Sequence, residues 1–278
     1  MNFIHQSLML LEDAGMFVGY PDIHWLEQSG MQLSHISALQ GNRISIEQNQ
    51  HLKLLMIFSL LDFHVDTMHP DMEGKSYRQK YLDLPVNGDY DRMLRELFRV
   101  AKVMRNALVH NPSSFTIANN QVAINYTHGK TNFRLNMSLR SLAMFHTSIV
   151  MYIRADMGRG NYFLGIMRSI YSDVRLGIKN FNDDLGDKLE APPPGLKLKW
   201  RTRYVHSNAR HQISDGRIHI LPPKRELQEW EGLDLHIALN EDDFLIPQEA
   251  LDQDLSISEL EVINNWKREG HFPALKRP

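Results

Sequence analysis

A mainly α-helical protein, with a small β-hairpin inserted between helices and a small α+β domain at the C-terminal end, is what this sequence predicts. Three observations carry the expectation. Apolar residues recur at three- and four-residue spacing through long stretches near 45–68, 89–110, 138–155 and 161–180. Between the second and third of these, the pattern shortens to alternating runs at 113–136. Beyond Ala191-Pro192-Pro193-Pro194-Gly195, alternation takes over. The expected division is an N-terminal helix and connector over 1–42, a helical domain over 43–182 and an α+β domain over 190–278.

Composition narrows the class. At 278 residues, the chain can bury one large core or two modest ones. A hydrophobic content of 42% and a charged content of 23% are those of an ordinary globular protein. The formal net charge of -2 supplies no global field for nucleic acid, so any basic surface must be local. No cysteine is present, which excludes disulfides, thiol catalysis and Cys-type zinc sites and suits the cytoplasm. Glu12 and Asp13 near the start, with no basic run before an apolar one, read as no signal peptide. No apolar run approaches the ~18 residues of a membrane span, so no membrane partner is expected.

Taken in order, residues 2–15 read as a short helix, with Phe3, Ile4, Leu8 and Leu11 near one face. Residues 20–42 read as a connector with one helical turn. Leu52, Leu55, Met56, Leu60 and Phe63 mark the next helix, which His69-Pro70 stops. The polar stretch 70–88 reads as a long loop, and Asp89 or Asp91 can cap the next helix. In that helix, 89–110, the residues Leu94, Leu97, Phe98, Ala101, Met104 and Leu108 form one apolar stripe at ~100° per residue. Arg92, Arg95, Arg99, Lys102, Asn106 and His110 gather on the far side. Arg105 falls about 20° from Leu94, in the middle of the apolar stripe. A guanidinium there breaks the pattern, as functional and interface positions do.

Ser113–Ile117, Gln121–Tyr126 and Asn132–Asn136 read as short strands separated by Asn119-Asn120 and His128-Gly129. The acidic run Asp183-Asp184 with Asp187 reads as a solvated loop within the linker. Farther on, Lys197, Lys199, Arg201 and Arg203 alternate with Leu198, Trp200, Thr202 and Tyr204. This is strand period, with one cationic face that either guides a nucleic-acid backbone or protects an edge strand. Leu233–Leu239 and Phe244–Pro247 flank a hairpin tip at 240–243. Ser256 and Glu259 spell a capping box for a last helix through Trp266.

An arginine with a histidine five to seven residues downstream is by itself uninformative. With 19 arginines, three spacings and 14 histidines in 278 residues, about three such pairs arise by chance, and three occur: Arg105–His110, Arg140–His146 and Arg201–His206. Context favours the first. Arg105 sits on the apolar stripe, and Asn106 shares a helix face with His110. Pro112 puts His110 in the last turn, where the helix dipole favours an imidazolium. On an ideal helix, Arg105 and His110 lie about 140° apart. Bringing both to one atom is therefore expected to need a chain bend after the helix or a second subunit.

Arg105-Asn106-Ala107-Leu108-Val109-His110, closing a long helix in a helical domain, resembles the signature of the HEPN superfamily over roughly residues 45–180. That signature is an arginine, usually followed by a polar residue, with a histidine after four to six positions. Where some members carry a tyrosine two residues after the histidine, this chain has Pro112. The resemblance implies a HEPN-like helical bundle with the strands as an insertion. It implies a metal-independent endoribonuclease, a toxin or anti-phage defence factor, with RNA as substrate and no cofactor. It also implies a homodimer with a composite active site and an antitoxin or regulatory protein as a further partner. Arg105 would stabilise the phosphate and His110 would transfer a proton, both as catalytic residues. Asn106, Arg99 and Lys102 would bind substrate. The alternative is a non-catalytic HEPN module that dimerises or binds RNA or protein. His64, His69, Asp62, Asp66 and Asp71 crowd one helix end, but their spacing is not that of a helical metal pair, and no metal is expected.

Overall fold

In a computed structural model, the protein is described over residues 22–28 and 31–37 (backbone), 50–155, 157–221 and 227–270. The helix expected at 2–15 lies outside these residues. The fold is α+β, which corrects the expectation of a mainly helical chain. Six α-helices are accompanied by twelve strands in three sheets among the described residues. No helix among them is long and apolar enough to cross a membrane. The chain divides into two compact units, and one of the boundaries falls inside a helix, α5 (Asn161–Leu176).

The first unit contains the described residues of Gly41–Arg154 and Ile170–Pro193. Its helices are α1 (Gln50–Met68), α2 (Tyr77–Asp83), α3 (Asp89–His110), α4 (Leu139–Arg154) and the last residues of α5. Its strands are β3 (Phe115–Ala118), β4 (Gln121–His128), β5 (Thr131–Ser138) and β6 (Ile178–Asn182), antiparallel in the order β3-β4-β5-β6. Asn119 and Asn120, at φ 51° and 57°, turn β3 into β4, and Gly129, at φ 60°, follows His128 into β5. Leu54, Ile57 and Leu61 of α1, Leu97, Phe98, Ala101 and Met104 of α3, Val122 and Ile124 of β4, and Phe145 and Ile149 of α4 are all buried in this unit's core.

The sheet is therefore not a small insertion. Its fourth strand comes from after α5, where a longer helix was expected. Gly177 ends that helix, its amide bonded to the Asp173 carbonyl. A Cβ on Gly177 would meet Ser141 at 2.5 Å, so only glycine lets the chain pass here and turn into β6. The supposed loop at 70–88 also holds α2, capped by Ser76, whose side chain accepts from the Gln79 amide. Ser76 followed three residues later by Gln79 is a capping-box spelling that would have identified it.

The polar side of α3 is buried as well. Glu96, Arg99 and Lys102 are 1%, 3% and 2% exposed. Arg99 donates to Asp183 through Nε (3.0 Å) and Nη2 (2.6 Å), and to the carbonyls of Lys188 (2.8 Å) and Gly186 (2.9 Å). Lys102 Nζ lies 2.6 Å from Asp184 and 3.3 Å from Asp183. Glu96 accepts from Tyr81 (2.9 Å) and from the Glu190 amide (3.2 Å). The acidic stretch expected as a solvated loop is thus the counter-charge for α3. Burial would raise the Asp183 carboxyl, but the Arg99 hydrogen bonds and the Lys102 charge outweigh it and hold that group below its ordinary value of 3.8.

The second unit contains the described residues of Tyr20–Gln40, Ala155–Ser169 and Pro194–Pro278. Two strands occupy the expected connector, β1 (Asp22–Gln28) and β2 (Met31–Ser37). They join β7 (Thr202–His206), β10 (Glu231–Leu239) and β11 (Asp242–Pro247) in one sheet, ordered β1-β2-β7-β10-β11, in which β7 and β10 run parallel. Asn240 and Glu241, both at positive φ, form the expected hairpin tip. A small sheet combines β8 (His211–Ser214), β9 (Arg217–Ile220) and β12 (Ser256–Ser258).

The last helix, α6 (Glu259–Asn265), is preceded by Ser258 as its N-cap, not by Ser256, whose hydroxyl accepts from Arg217. The expected cationic face is divided: Lys197 and Lys199 are exposed but precede the strand, and Arg203 is internal. β7 is a central strand, and Arg203 is 1% exposed, paired with Asp234 and with Glu249 at 2.7 Å. At Arg203 the alternation thus marks an internal charge network, not a surface.

Asp183→Ala should lower the unfolding free energy by about 3–5 kcal/mol in urea titrations, because it strands Arg99 as a buried, unpaired charge. A joint Arg99→Met, Asp183→Leu change should recover most of the loss. The Asp183 contribution is present above the ordinary value of 3.8 and is lost as pH falls through the depressed folded value. The urea midpoint of the native protein should therefore drop on acidification below about pH 4, and Asp183→Ala should lack that component.

Candidate functional site

Helix α3 runs unbroken to His110. Asn111 closes it, its amide bonded to the Ala107 carbonyl, and Pro112 starts a short 3-10 turn. Arg105, four residues from the stripe position Ala101, extends over the ring of Tyr77 in α2, with its guanidinium carbon 4.9 Å from the ring centroid. Tyr77 itself packs edge-on against Phe58 and Phe98. The arginine on the apolar side of the helix is thus carried on an aromatic shelf.

From that shelf, the guanidinium reaches the end of its own helix. Arg105 Nη1 lies 3.0 Å from His110 Nε2. Neither a chain bend nor a second subunit is needed for this contact. Five residues advance a helix by about 7.5 Å, and the long arginine stem spans that rise while swinging around the cylinder. Arginine has no acceptor, so a hydrogen bond here requires the lone pair on Nε2 and the proton on Nδ1 of His110. Asn106, although it shares a helix face with His110, does not hydrogen-bond the imidazole. Its Oδ1 accepts from Arg105 Nη1 at 3.2 Å and holds the guanidinium instead.

Arg105, Asn106 and His110 line a cavity of about 670 Å³ within the first unit. Its other walls are Asp62 and Asp66 of α1, the turn and first residues of α2, His128 and Phe133 of the β4–β5 hairpin, and Lys102 with Asp184. Five side chains with fixed positive charge face it, and four are neutralised. Lys75 lies 2.8 Å from Asp83, and Arg78 lies 2.9 Å from Asp184. Lys80 sits between Asp62 and Asp66 at 2.7 and 2.6 Å, and Lys102 is held by Asp184.

Arg105 is the exception. Among the described residues no carboxylate pairs with it, and its contacts are the imidazole, the amide and the Tyr77 ring. Asp62, close enough to feel its charge, is raised above its ordinary value by burial, despite its Lys80 hydrogen bond. The cleft therefore offers one cation without an ion-pair partner, hydrogen-bonded to the Nε2 lone pair of an imidazole.

The remaining expected residues divide. Lys102 lines the cleft but is committed to two aspartates, and Arg99 is enclosed beneath the 183–188 segment, away from the cleft lining. In the other two chance pairs, His146 is buried in α4, and desolvation followed by the Lys53 charge pushes it down to about 3. His206 is buried in β7, and burial lowers it as well. The residues that sequence reasoning missed are mainly those of α2: Tyr77, Arg78 and Lys80. His128 was visible only as a turn flank. No family model matches the chain, and no curated protein or solved structure matches it. Among the described residues, no group of three or more histidine or acidic side chains is spaced to hold a metal ion.

Long-range proton–nitrogen NMR spectra should show neutral His110 with its proton on Nδ1, and Arg105→Ala should shift the ring toward the opposite tautomer. A proton on Nε2 in the unmodified protein would contradict the Arg105 hydrogen bond.

Proposed function

We propose that the protein is a HEPN-type endoribonuclease, a toxin or anti-phage defence factor of the cytoplasm, that cleaves RNA by attack of a ribose 2′-hydroxyl. The observation that carries this reading is the uncompensated guanidinium of Arg105 in contact with the lone pair of His110. A phosphodiester presents what that pair lacks, an anion for the guanidinium and a neighbouring hydroxyl proton for the imidazole.

Two phosphoryl oxygens can take a forked pair of hydrogen bonds from Arg105, which draws the guanidinium off His110 and frees Nε2. The 2′-hydroxyl then attacks phosphorus as its proton moves to Nε2, and the bond from phosphorus to the 5′-oxygen breaks. Charge building on the phosphoryl oxygens is met by a cation already positioned by Tyr77 and Asn106, so little reorganisation is required. The products are a 2′,3′-cyclic phosphate and a 5′-hydroxyl. No step in this scheme uses a metal. A homodimer is part of the proposal. Because the Arg–His contact forms within one chain, a composite cleft would bring two such pairs face to face. An antitoxin or regulatory protein would restrain the activity by covering the cleft.

Purified protein should cleave RNA in EDTA. Arg105→Ala should lower the rate by about 10²–10³-fold and His110→Ala by about 10²–10⁴-fold, with thermal melting unchanged in both. Cleavage retained by both variants would reject the reading. RNA bound without turnover would instead mark a non-catalytic module. Mixing the two variants should restore nothing, because each chain's pair acts as one unit. Recovery on mixing would show that the working arginine and histidine belong to different subunits.

A further inference from the structure

We propose that His128 is the second proton-transfer group of this site, the general acid that protonates the departing 5′-oxygen. This role rests on the ribonuclease reading above and extends it to a residue outside the Arg–His motif.

Strand period puts His128 on the cleft side of the sheet. In β4, the even positions Val122, Ile124 and Tyr126 are buried and the intervening Asn125 and Thr127 are exposed. His128 continues the even series at the strand's end, where burial gives way to solvent. It therefore stands on the sheet face that is otherwise buried, at the point where that face becomes a wall of the cleft. The left-handed Gly129 turns the chain directly after it. Helix α3 ends in His110 and the core-facing edge of β4 ends in His128, and both imidazoles line one cavity.

The other charged groups that line the cleft are already engaged. Lys75, Lys80 and Lys102 are each held by carboxylates at 2.6–2.8 Å. Asp62, Asp66 and Asp184 are the partners of those cations or of Arg78. Arginine does not release its proton. His110 is engaged as the base, since its contact with Arg105 requires the Nε2 lone pair. The imidazole of His128 makes no hydrogen bond or ion pair among the described residues. It is the free histidine of the cleft, and histidine is the side chain that exchanges a proton near neutral pH.

The step balances. The bond from the 2′-oxygen to phosphorus forms as that hydroxyl's proton passes to His110. The bond from phosphorus to the 5′-oxygen breaks as the His128 imidazolium gives its proton to that oxygen. His110 leaves the step protonated and His128 neutral, and exchange with water restores both.

The test compares leaving groups. A dinucleoside phosphate expels an alkoxide that needs a proton. A 4-nitrophenyl ester of uridine 3′-phosphate expels a phenolate that does not. His128→Ala and His128→Gln should lower turnover of the dinucleotide by ~10²–10⁴-fold and that of the aryl ester by less than about tenfold. His110→Ala should impair both substrates. Equal losses on the two substrates in the His128 variants, or no loss on either, would overturn the assignment while leaving the ribonuclease reading intact. A leaving-group-dependent loss in Tyr77→Phe in place of the His128 variants would give the role to Tyr77 and overturn it likewise. If the unmodified protein turns over neither substrate, the ribonuclease reading fails and the role of His128 fails with it.

Discussion

Helix α3 is buried on both sides, and that constraint organises the first unit. Its apolar stripe meets α1, α4 and the four-stranded sheet in the core. Its charged side is covered by the segment after β6. Enclosing an arginine, a lysine and a glutamate is unfavourable unless each finds opposite charge and filled hydrogen bonds. Asp183 and Asp184 supply the charge, and the carbonyls of Gly186 and Lys188 and the amide of Glu190 supply the remainder. Residues some 80 positions apart are thereby bound to one helix, and the fourth strand and the residues just beyond it become part of the same core.

The same matching of charges produces the cleft. Asp184 holds Lys102 on one side and Arg78 on the other, which ties α2 to α3. Asp62 and Asp66 hold Lys80 and tie α2 to α1. Each pairing is structural, and each removes a cation from what a ligand would see. Arg105 is left over because it faces an aromatic ring where its neighbours face carboxylates. A cleft crowded with positive side chains thus presents its positive character at one point, beside His110. The proposal of a phosphodiester substrate rests on that concentration.

Much of this architecture could be read from residue order. The apolar spacing of α3 and α4, the termination of α3 near Pro112, the Asn-Asn and His-Gly turns and the 240–243 hairpin tip all follow from local chemistry, and local chemistry travels with the sequence. Arg105 stood out for the same reason, as a charge at an apolar position of a regular helix. The balance of helix and sheet was misjudged because β6, β1 and β2 gain their stability from partners far away in the chain. Gly177 ends α5 through a close approach to Ser141 that no window of neighbouring residues contains.

By itself, the sequence determined the helix that carries the candidate site, the residue types at its end and the oddity of Arg105. Tertiary structure alone decided what those residues contact. Ideal helix geometry put Arg105 and His110 on different sides, and a long side chain resting on Tyr77 brought them to 3.0 Å. Arg99 and Lys102 look like solvent-facing cations in sequence, and the distant aspartates make them internal. His128 is an ordinary turn residue until the hairpin folds against α3 and turns it into a wall of the cleft. The physical reason is common to all three. Helical and strand periods are set by neighbours along the chain, whereas the charge and hydrogen-bonding state of a side chain is set by whatever the fold places beside it.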